Sequence, residues 1–496
     1  MWDLSKLTSS LKILFIAYTY SNGGGAEAVL TTLVNNLPKT WKIDILEVVH
    51  FGVKKEPTNK NIKLLPPLIQ KGEHRSPNKF FGVILLHKPE LIRYIRKLKD
   101  YDVVVGWEHS LPTFLLPTFR NAKKVVWFHG MLDNFINQSS PLSVEYYEKK
   151  QAFYAQKKVL KYADQIAVIS NMCLRSLNKI FSEYSKKARV IYNGVDIEKI
   201  NAAGKETINK AENIFFYDTV LQKKEPYLIV IGHINENKNF SLALNALKIL
   251  QKRNIICNLA VLGSGDNEND VIKLHDEAIS LGIQDRVFLL GYKQNPLPFL
   301  CRAKLLLITS FAEGFPTVAT EALSLGIPFI TTPVAGASEE LANNGSCGLV
   351  SGWDAEEYAN NIERLLTNEA LYQKMSKNCK EHIRNYSVEN FVASFKKMLE
   401  DIPEKNTQKK AKNKNYFISI LLFIFYSSFY LSVNNYNRKN ATKMKWLNLI
   451  HKPCLLNFFK FIFKFSIYFT FVLSFPIRLL MLSFLTCRSI WADGEI

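Results

Sequence analysis

The sequence has few cysteines and no pattern among them. Its seven cysteines are scattered singly over 496 residues, with no C-x-x-C pair. That spacing excludes a disulfide scaffold and a structural zinc site, and it fits a reducing compartment. A secretory signal is also missing, because the apolar run that begins at Lys12 is too short for a signal segment. The 47% hydrophobic content excludes a mostly disordered chain, and the length predicts two or three domains.

A nucleic-acid recognition module is likewise not recognisable, although the net charge is +20. Residues 404–496 carry 14 Lys and Arg against 3 acidic residues, so they contribute +11 of that charge. Over half of the excess therefore lies in less than a fifth of the chain, beside apolar segments. We expect no nucleic-acid partner.

The same tail contains the long apolar runs. A lysine-rich linker precedes an uncharged run at 417–433, and a second run at 455–487 is interrupted by charges and a proline. Lysines flank both runs, as they do beside anionic lipid headgroups, so we predict a membrane-associated tail. Three interpretations stay open: the runs span the bilayer, lie in one leaflet, or pack as helices on the globular part.

Before the tail, short apolar strands alternate with helical segments. The predicted strands are 12–20, 42–49, 102–106, 123–128, 165–169, 189–192, 227–231, 257–262, 287–290, 304–309 and 328–331. The predicted helices are 26–37, 90–99, 144–161, 241–252, 270–281, 298–302 and 317–325. This alternation predicts an α/β fold with two doubly wound, Rossmann-like domains that face a cleft.

Glycine-rich turns follow predicted strands in both halves. Gly24 and Gly25 follow the first strand, but their spacing is not G-x-G-x-x-G, so dinucleotide binding is not specifically indicated. Gly232 and Lys238 follow the strand at 227–231, where a lysine can bring a cation to a phosphate. A plain tight turn and a surface lysine explain these residues equally well.

Two glutamates stand eight positions apart across a loop-to-helix junction. Glu313 precedes the turn made by Gly314, Phe315 and Pro316, and Glu321 lies in the following helix. The first amides of such a helix can hold a diphosphate. Carboxylates at these positions suit the hydroxyl groups of a sugar, which donate strong hydrogen bonds to charged acceptors.

Seven segments together resemble the retaining glycosyltransferases of family 4, over about residues 12–399. They are Gly23-Gly-Gly-Ala-Glu27, Phe128-His-Gly130, Val190-Ile-Tyr-Asn-Gly-Val-Asp196, Gly232 with Lys238-Asn239, Gly263-Ser-Gly265, Arg286-Val-Phe-Leu-Leu-Gly291, and Glu313-Gly-Phe-Pro with Glu321. The resemblance implies a GT-B fold with a first domain at 1–195, a linker at 196–226, a nucleotide-sugar domain at 227–386 and a helix that crosses back at 387–403. The rest of the chain lies outside the family pattern, and its composition alone predicts the lysine-rich linker 404–415 and the membrane-associated tail 416–496.

The resemblance also implies roles for particular residues. Glu321 would hold the ribose, while Glu313 and the amides of Gly314, Phe315, Pro316 and Thr317 would hold the transferred sugar and phosphate. Lys238 would neutralise the diphosphate, with Gly232, His233 and Gly265 beside it and Tyr292 near the base. In the first domain, Gly24 and Gly25 would face the diphosphate and the acceptor, and His129 the transferred sugar. Glu313, Lys238 and His129 are the expected catalytic residues.

One departure from the family pattern concerns the cations. The family usually has an arginine where this chain has His233. No suitably placed D-x-D motif is present, so we expect neither a metal nor another cofactor besides the nucleotide-sugar co-substrate. The expected function is transfer of a sugar to a glycan or lipid-linked acceptor at the cytoplasmic membrane face. A nucleotide-sugar epimerase and a non-catalytic membrane scaffold stay open as alternatives.

Overall fold

Continuous apolar runs form the strands, as expected for parallel strands that helices cover on both faces. The first strand, Lys12–Ala17, is buried from its second residue onward. The structure is a computed structural model, and it describes residues 10–21, 24–52, 61–70, 89–108, 111–132, 156–265 and 267–403. All of these residues belong to one compact unit of the chain.

A parallel sheet of seven strands forms the first half. Its strands are β1 (Lys12–Ala17), β2 (Lys42–Glu47), β4 (Ile62–Leu64), β6 (Val103–Gly106), β7 (Lys123–Phe128), β8 (Gln165–Val168) and β9 (Ala188–Val190). Their order is β4-β2-β1-β6-β7-β8-β9. Two short strands, β3 (Val49–His50) and β5 (Ile69–Gln70), pair in parallel with each other.

A second parallel sheet, of six strands, forms the second half. Its strands are β10 (Tyr227–Ile231), β11 (Asn258–Leu262), β12 (Val287–Gly291), β13 (Leu305–Ile308), β14 (Phe329–Thr331) and β15 (Gly348–Val350). Their order is β12-β11-β10-β13-β14-β15. In both sheets the strand order reverses beside the first strand of the half, which places a crevice at the carboxyl edge.

Helices connect these strands. The described α-helices are α1 (Gly25–Asn36), α2 (Pro89–Lys97), α3 (Leu111–Phe114), α4 (Asn171–Ile180), α5 (Ile197–Gly204), α6 (Ile214–Phe216), α7 (Phe240–Lys252), α8 (Glu268–Ser280), α9 (Leu297–Arg302), α10 (Thr317–Leu325), α11 (Ala355–Thr367), α12 (Glu369–His382) and α13 (Val388–Glu400). Within the described ranges, no helix is both long enough and apolar enough to cross a membrane.

The last helix, α13, packs against the first sheet. The ring of Phe395 lies 6.0 Å from that of Phe15 and 6.1 Å from that of Trp127. The Lys123 ammonium donates to the carbonyl of Leu399 at 3.1 Å. The chain thus returns to its first half after completing the second.

The predicted α/β fold with two parallel sheets is confirmed, with differences at the ends of elements. The first strand ends at Ala17 rather than at residue 20, because the next residues bond to Glu47 instead of continuing the ladder. Strands β3, β4, β5 and β15 were missed, since two or three residues carry no readable period. Most of the helix predicted at 144–161 and the whole tail from residue 404 lie outside the described residues.

Candidate functional site

At the carboxyl ends of β10 and β11, the two backbones are in direct contact. The N–H of Gly232 donates to the carbonyl of Leu262 at 3.0 Å. Gly263 has a φ of +152°, and a Cβ there would lie 1.8 Å from the Gly232 carbonyl oxygen. Only glycine allows that approach. Gly265 forms an isolated bridge with Ile234, so predicted residues from both loops lie together at this edge.

Lys238 and Glu313 form an ion pair at the same edge. The ammonium of Lys238 lies 2.6 Å from Oε1 of Glu313, and the Ser310 hydroxyl donates to the same oxygen at 2.7 Å. The side chains of Lys238 and Glu313 are 24% and 16% exposed. The Lys238 stem passes over Gly232, where a Cβ would lie 3.2 Å from Cε of the lysine. The structure therefore brings together residues 75 positions apart that the sequence had singled out separately.

Backbone hydrogen bonds fix the two loops that carry this pair. The N–H of Phe311 donates to the carbonyl of Asn237 at 2.8 Å, and the Asn237 amide donates to the carbonyl of Ala312 at 3.0 Å. The Thr309 hydroxyl donates to the carbonyl of Lys238 at 2.6 Å. The ion pair is therefore held by its loops rather than by flexible side chains alone.

In the turn before α10, the Phe315 side chain is buried, while the first residue of the helix is exposed. Phe315 is buried, and its ring lies 6.0 Å from that of Tyr192 and 5.8 Å from that of Tyr386. Pro316 precedes the helix and has no N–H to offer. Thr317 is the first helical residue and is exposed. The N-terminal amides of α10, rather than the side chains of this turn, are thus available to an anion.

Glu321 lies one turn into α10. In the described part of the chain, its carboxylate has neither a hydrogen-bond donor nor a cation as partner. Burial raises the pKa of Glu321 to about 7. A carboxyl group without a donor among the described residues is suited to accept hydrogen bonds from a ligand's hydroxyl groups.

His129 and Gly314 bring the two halves into contact. A Cβ on Gly314 would lie 2.0 Å from the carbonyl oxygen of His129, so only glycine fits there. The His129 Nε2 lies 2.6 Å from the carbonyl oxygen of Trp107 and must donate to it. The His129 ring also stacks on that of Trp127 at 6.3 Å. The backbone of His129 therefore lies at the boundary between the halves, next to the turn that Glu313 begins, while its imidazole is held against Trp107 and Trp127.

The N-terminus of α4 makes a second contact with the second half. The Asn171 N–H donates to Oε1 of Glu340 at 2.5 Å, and Oε2 of Glu340 is buried with no hydrogen-bond partner among the described residues. Burial raises the pKa of Glu340, while the bond from Asn171 lowers it, and the net change is upward. Arg175 also pairs with Glu339 on the surface. Glu340 thus accepts from the first amide of α4 across the boundary, beside the N-cap residue Ser170, whose hydroxyl accepts from the N–H of Cys173 at 3.1 Å.

Among the described residues, acids lie at the carboxyl edge of the first sheet. A carboxylate oxygen of Glu27 lies over Gly24, where it would be 2.5 Å from a Cβ on that glycine. Gly25 is the first residue of α1 and has open space beside it. Burial, and then the charge of Glu27, raise the pKa of Glu108 to about 7. Gly25 is therefore accessible to a ligand, in negatively charged surroundings.

Two predicted residues lie at the margins of the second edge. Tyr292 follows β12 and is 73% exposed. His233 directly follows Gly232 and is partly buried. A cavity of about 650 Å³ elsewhere is lined by parts of 207–227, by Arg302–Lys304 and by Tyr372, and none of the predicted site residues lines it.

Sequence reasoning missed several functional candidates. Glu47, Glu108, Ser310 and Glu340 all lie close to the predicted residues, yet none belongs to a motif with a readable spacing. Glu47 and Glu108 were within reach of a simple rule, because each follows or ends a parallel strand. Glu340 was not, since its partner Asn171 is 169 positions away.

Two family profiles match the chain, one on each half. The profile described as Glycosyltransferase Family 4 matches residues 23–199, and the one described as Glycosyl transferases group 1 matches residues 212–382. An uncharacterized glycosyltransferase of Methanocaldococcus jannaschii is 27% identical over 299 residues, which are 59% of this chain and 65% of that protein. The chain thus spans slightly less than two thirds of that relative.

A second relative is matched almost end to end. The GalNAc-alpha-(1->4)-GalNAc-alpha-(1->3)-diNAcBac-PP-undecaprenol alpha-1,4-N-acetyl-D-galactosaminyltransferase of Campylobacter jejuni is 25% identical over 79% of this chain and 99% of its own length. Among solved structures, Anabaena HepE in complex with UDP covers 79% of this chain and 100% of its own, with a TM-score of 0.60 and 16% identity. This likeness shows a GT-B-like fold.

Proposed function

Because its two adjoining profile matches identify the chain as a glycosyltransferase of the family 4 type, we propose that it transfers a sugar from a nucleotide-sugar donor to a glycan or lipid-linked acceptor, with retention of configuration. The observation that carries the proposal is the Lys238–Glu313 pair beside the N-terminus of α10. Together, the pair and the helix N-terminus supply a cation, a carboxylate and free amides at the carboxyl edge of the second sheet. Those are the groups that a diphosphate and a sugar require.

In this proposal the second half stabilises the departing nucleoside diphosphate. Negative charge develops on the diphosphate as the bond to the sugar breaks, and Lys238 and the first amides of α10 are already oriented toward it. Such preorganised groups need no rearrangement during the reaction. Glu313 accepts from hydroxyl groups of the transferred sugar, and Glu321 from those of the ribose. Tyr292 lies beside the base.

The first half supplies the acceptor side. The backbone of His129 contacts Gly314, so His129 is the residue of the first half that we assign to the transferred sugar held by Glu313. Gly25 leaves room for the acceptor at the start of α1, and Gly24 before it is covered by the Glu27 carboxylate. His233 stands where a second cation is usual, and Lys238 with the α10 amides takes the larger share of the charge. We propose that no metal takes part.

The relatives support a donor and an acceptor class. The Anabaena structures are of complexes with UDP, with UDP and glucose, and with UDP-glucose, and the Campylobacter relative carries an undecaprenol-linked acceptor in its name. We propose a UDP-sugar as donor and a lipid-linked sugar as acceptor. The basic, apolar tail from residue 404 would hold the enzyme on a membrane with anionic lipids, at the cytoplasmic face.

A panel of radiolabelled nucleotide-sugars tests this function. The full chain is incubated with each donor and either extracted membrane lipids or octyl glycosides of common hexoses, with and without excess EDTA. Transfer of label with one donor, undiminished by EDTA, is the expected result. Net epimerisation without transfer, or no turnover of any donor, contradicts it.

A matched control variant is available in the same domain. Lys304 pairs with Glu369 at 2.8 Å and is 24% exposed, as Lys238 is, but it precedes β13 and lies at the opposite edge of the sheet. Lys238→Ala should abolish most transfer, and Lys304→Ala should retain it. Equal rates in both variants would mean that the assigned edge is wrong.

A further inference from the structure

A carboxylate at the end of β2 joins an imidazole to the loop after β1. Glu47 is 4% exposed, and its Oε1 accepts from the N–H groups of Tyr20 and Ser21, each at 2.6 Å. Its Oε2 lies 2.8 Å from Nδ1 of His50. Burial raises the pKa of Glu47, but these hydrogen bonds together lower it by more, so the net change is downward. Glu47 is therefore an ionised, fully occupied acceptor.

This contact fixes how His50 presents its other nitrogen. An ionised carboxylate can only accept, so Nδ1 of His50 carries the hydrogen. In the neutral imidazole, Nε2 then holds a lone pair. The side chain of His50 is 21% exposed, and no group among the described residues is bonded to its Nε2. Glu47 thus fixes the ring so that a partly exposed side chain offers an acceptor nitrogen with no partner among the described residues.

His50 lies beside the segment that leads into the predicted acceptor loop. The N–H of Val49 donates to the carbonyl of Tyr18 at 2.8 Å, so β3 runs alongside Tyr18–Ser21, which precedes Gly24. Strands β2 and β7 are three positions apart in the sheet order. At about 4.8 Å a strand, His50 is roughly 14 Å along the edge from His129. A group at His50 is therefore not the transferred sugar.

We propose that His50, oriented by Glu47, accepts a hydrogen bond from a hydroxyl group of the acceptor at a distance from the reacting centre. His50 is the binding residue, and Glu47 is a positioning residue that holds both the imidazole and the loop before Gly24. An uncharged hydroxyl group is favoured over a phosphate, because the ionised carboxylate of Glu47 is bonded directly to the imidazole. This inference rests on the proposed function and adds an acceptor subsite to it.

The test separates acceptor binding from every other property of the enzyme. With the donor found in the panel, initial rates are measured against the octyl glycoside that gives the highest turnover. His50→Ala should raise the KM for that glycoside about tenfold, the loss of one hydrogen bond of roughly 1–1.5 kcal/mol. The kcat and the Kd for UDP should stay within about twofold, because His50 is roughly 14 Å along the edge from His129 and lies in the half that does not carry Lys238.

Two further variants sharpen the result. His50→Gln should recover most of the affinity, because its amide can donate to Glu47 while its carbonyl accepts from the hydroxyl. His275→Ala is the matched control, since that histidine is 57% exposed on α8 of the other half. It should change no constant.

Several outcomes overturn the inference. An unchanged acceptor KM in folded His50→Ala does so, and so does a parallel loss of kcat, UDP affinity and Tm that glutamine fails to restore, because that pattern is structural. Should His50→Ala not fold, monodeoxy forms of the same glycoside decide on the wild type. One of them should show a KM about tenfold higher, and a uniform KM across the set refutes the subsite. No transfer by the wild type with any donor refutes the proposed function itself.

Discussion

The carboxyl edges of the two sheets share an architecture but differ in charge. The edge of the second sheet offers Lys238 and the N-terminus of α10, and its acid Glu313 is already paired. The edge of the first sheet offers Glu27, Glu47 and Glu108, and the carboxylate of Glu47 orients the imidazole of His50. In the part of the chain that the structure describes, the second edge therefore suits an anion and the first suits uncharged donors of hydrogen bonds. The same strand–loop–helix unit acquires either character from a few loop residues.

The largest expected effect comes from removing the cation of the second edge. Lys238→Ala and Glu313→Ala should each lower kcat/KM for the donor roughly tenfold to a hundredfold, because a hydrogen bond to a charged group contributes about 1.5–3 kcal/mol. The double variant should lose less than the product of the two, since the residues act as one pair. Steady-state kinetics with the selected donor measure all three.

The first edge provides the contrast for this experiment. Glu27→Gln removes a charge over Gly24, and it should leave the Kd for UDP within about twofold, measured by calorimetry. A change in UDP affinity as large as that of Lys238→Ala would show that the diphosphate lies between both edges, and the division proposed here would be wrong.

The next effect concerns the contact between the halves. In Gly314→Ala the new Cβ would lie 2.0 Å from the carbonyl oxygen of His129, which is backbone and cannot rotate away. The two edges must then separate, so kcat should fall about tenfold or more while UDP still binds the second half. Gly130→Ala has no atom within 4 Å of its Cβ and should change kcat by less than about twofold. Equal kcat values for the two variants would show that the contact is not needed for turnover.

The sequence predicted the second edge better than the first. Glycines at strand ends and the Glu313–Glu321 spacing are local features, and the helix predicted at 317–325 has the observed bounds. The pairing of Lys238 with Glu313 needed only the rule that parallel strands share a carboxyl edge. Glu47 could have been found by the same rule, but its bonds to Tyr20 and Ser21 could not, because they are set by where β1 ends, which periodicity did not give.

Contacts between the halves were beyond sequence reasoning for a related reason. Phe315 belongs to a family motif and was assigned to the donor, yet its ring packs on Tyr192 and Tyr386. Glu340 and Asn171 meet only because two domains meet. Tertiary contact, rather than local pattern, decides whether such a residue faces a ligand or a neighbour.

A smaller effect, on the free energy of unfolding, is expected where Glu340 accepts from the first amide of α4. Glu340→Ala removes the acceptor of the Asn171 N–H and a negative charge from a helix N-terminus, which together stabilise by about 1–2 kcal/mol. Urea unfolding should report a loss of that size. Arg175→Ala breaks a surface pair in the same region and should cost less than about 0.5 kcal/mol. A larger loss from Arg175→Ala than from Glu340→Ala would show that the Arg175–Glu339 pair, rather than Glu340, stabilises this end of α4.

The smallest effect compares one carboxyl group from each edge by its pH dependence. Burial raises the pKa of Glu321 to about 7, and burial with the charge of Glu27 raises that of Glu108 to about 7. Each folded-state pKa is above the ordinary 4.5, so the folded protein binds more protons between about pH 4.5 and 7. The free energy of unfolding should therefore fall as pH rises through that window, relative to Glu321→Gln or Glu108→Gln.

Ligand affinity then separates the two carboxyl groups. A charged acceptor is stronger than a neutral one by about 1 kcal/mol, so ionising Glu321 should tighten UDP binding about fivefold between pH 6 and 8. The titration of UDP itself cancels when the wild type is compared with a variant. Glu321→Gln should lose this gain, while Glu108→Gln should keep it, because Glu108 lies at the edge that the diphosphate does not touch. If the gain disappears in Glu108→Gln or persists in Glu321→Gln, Glu321 does not hold the ribose.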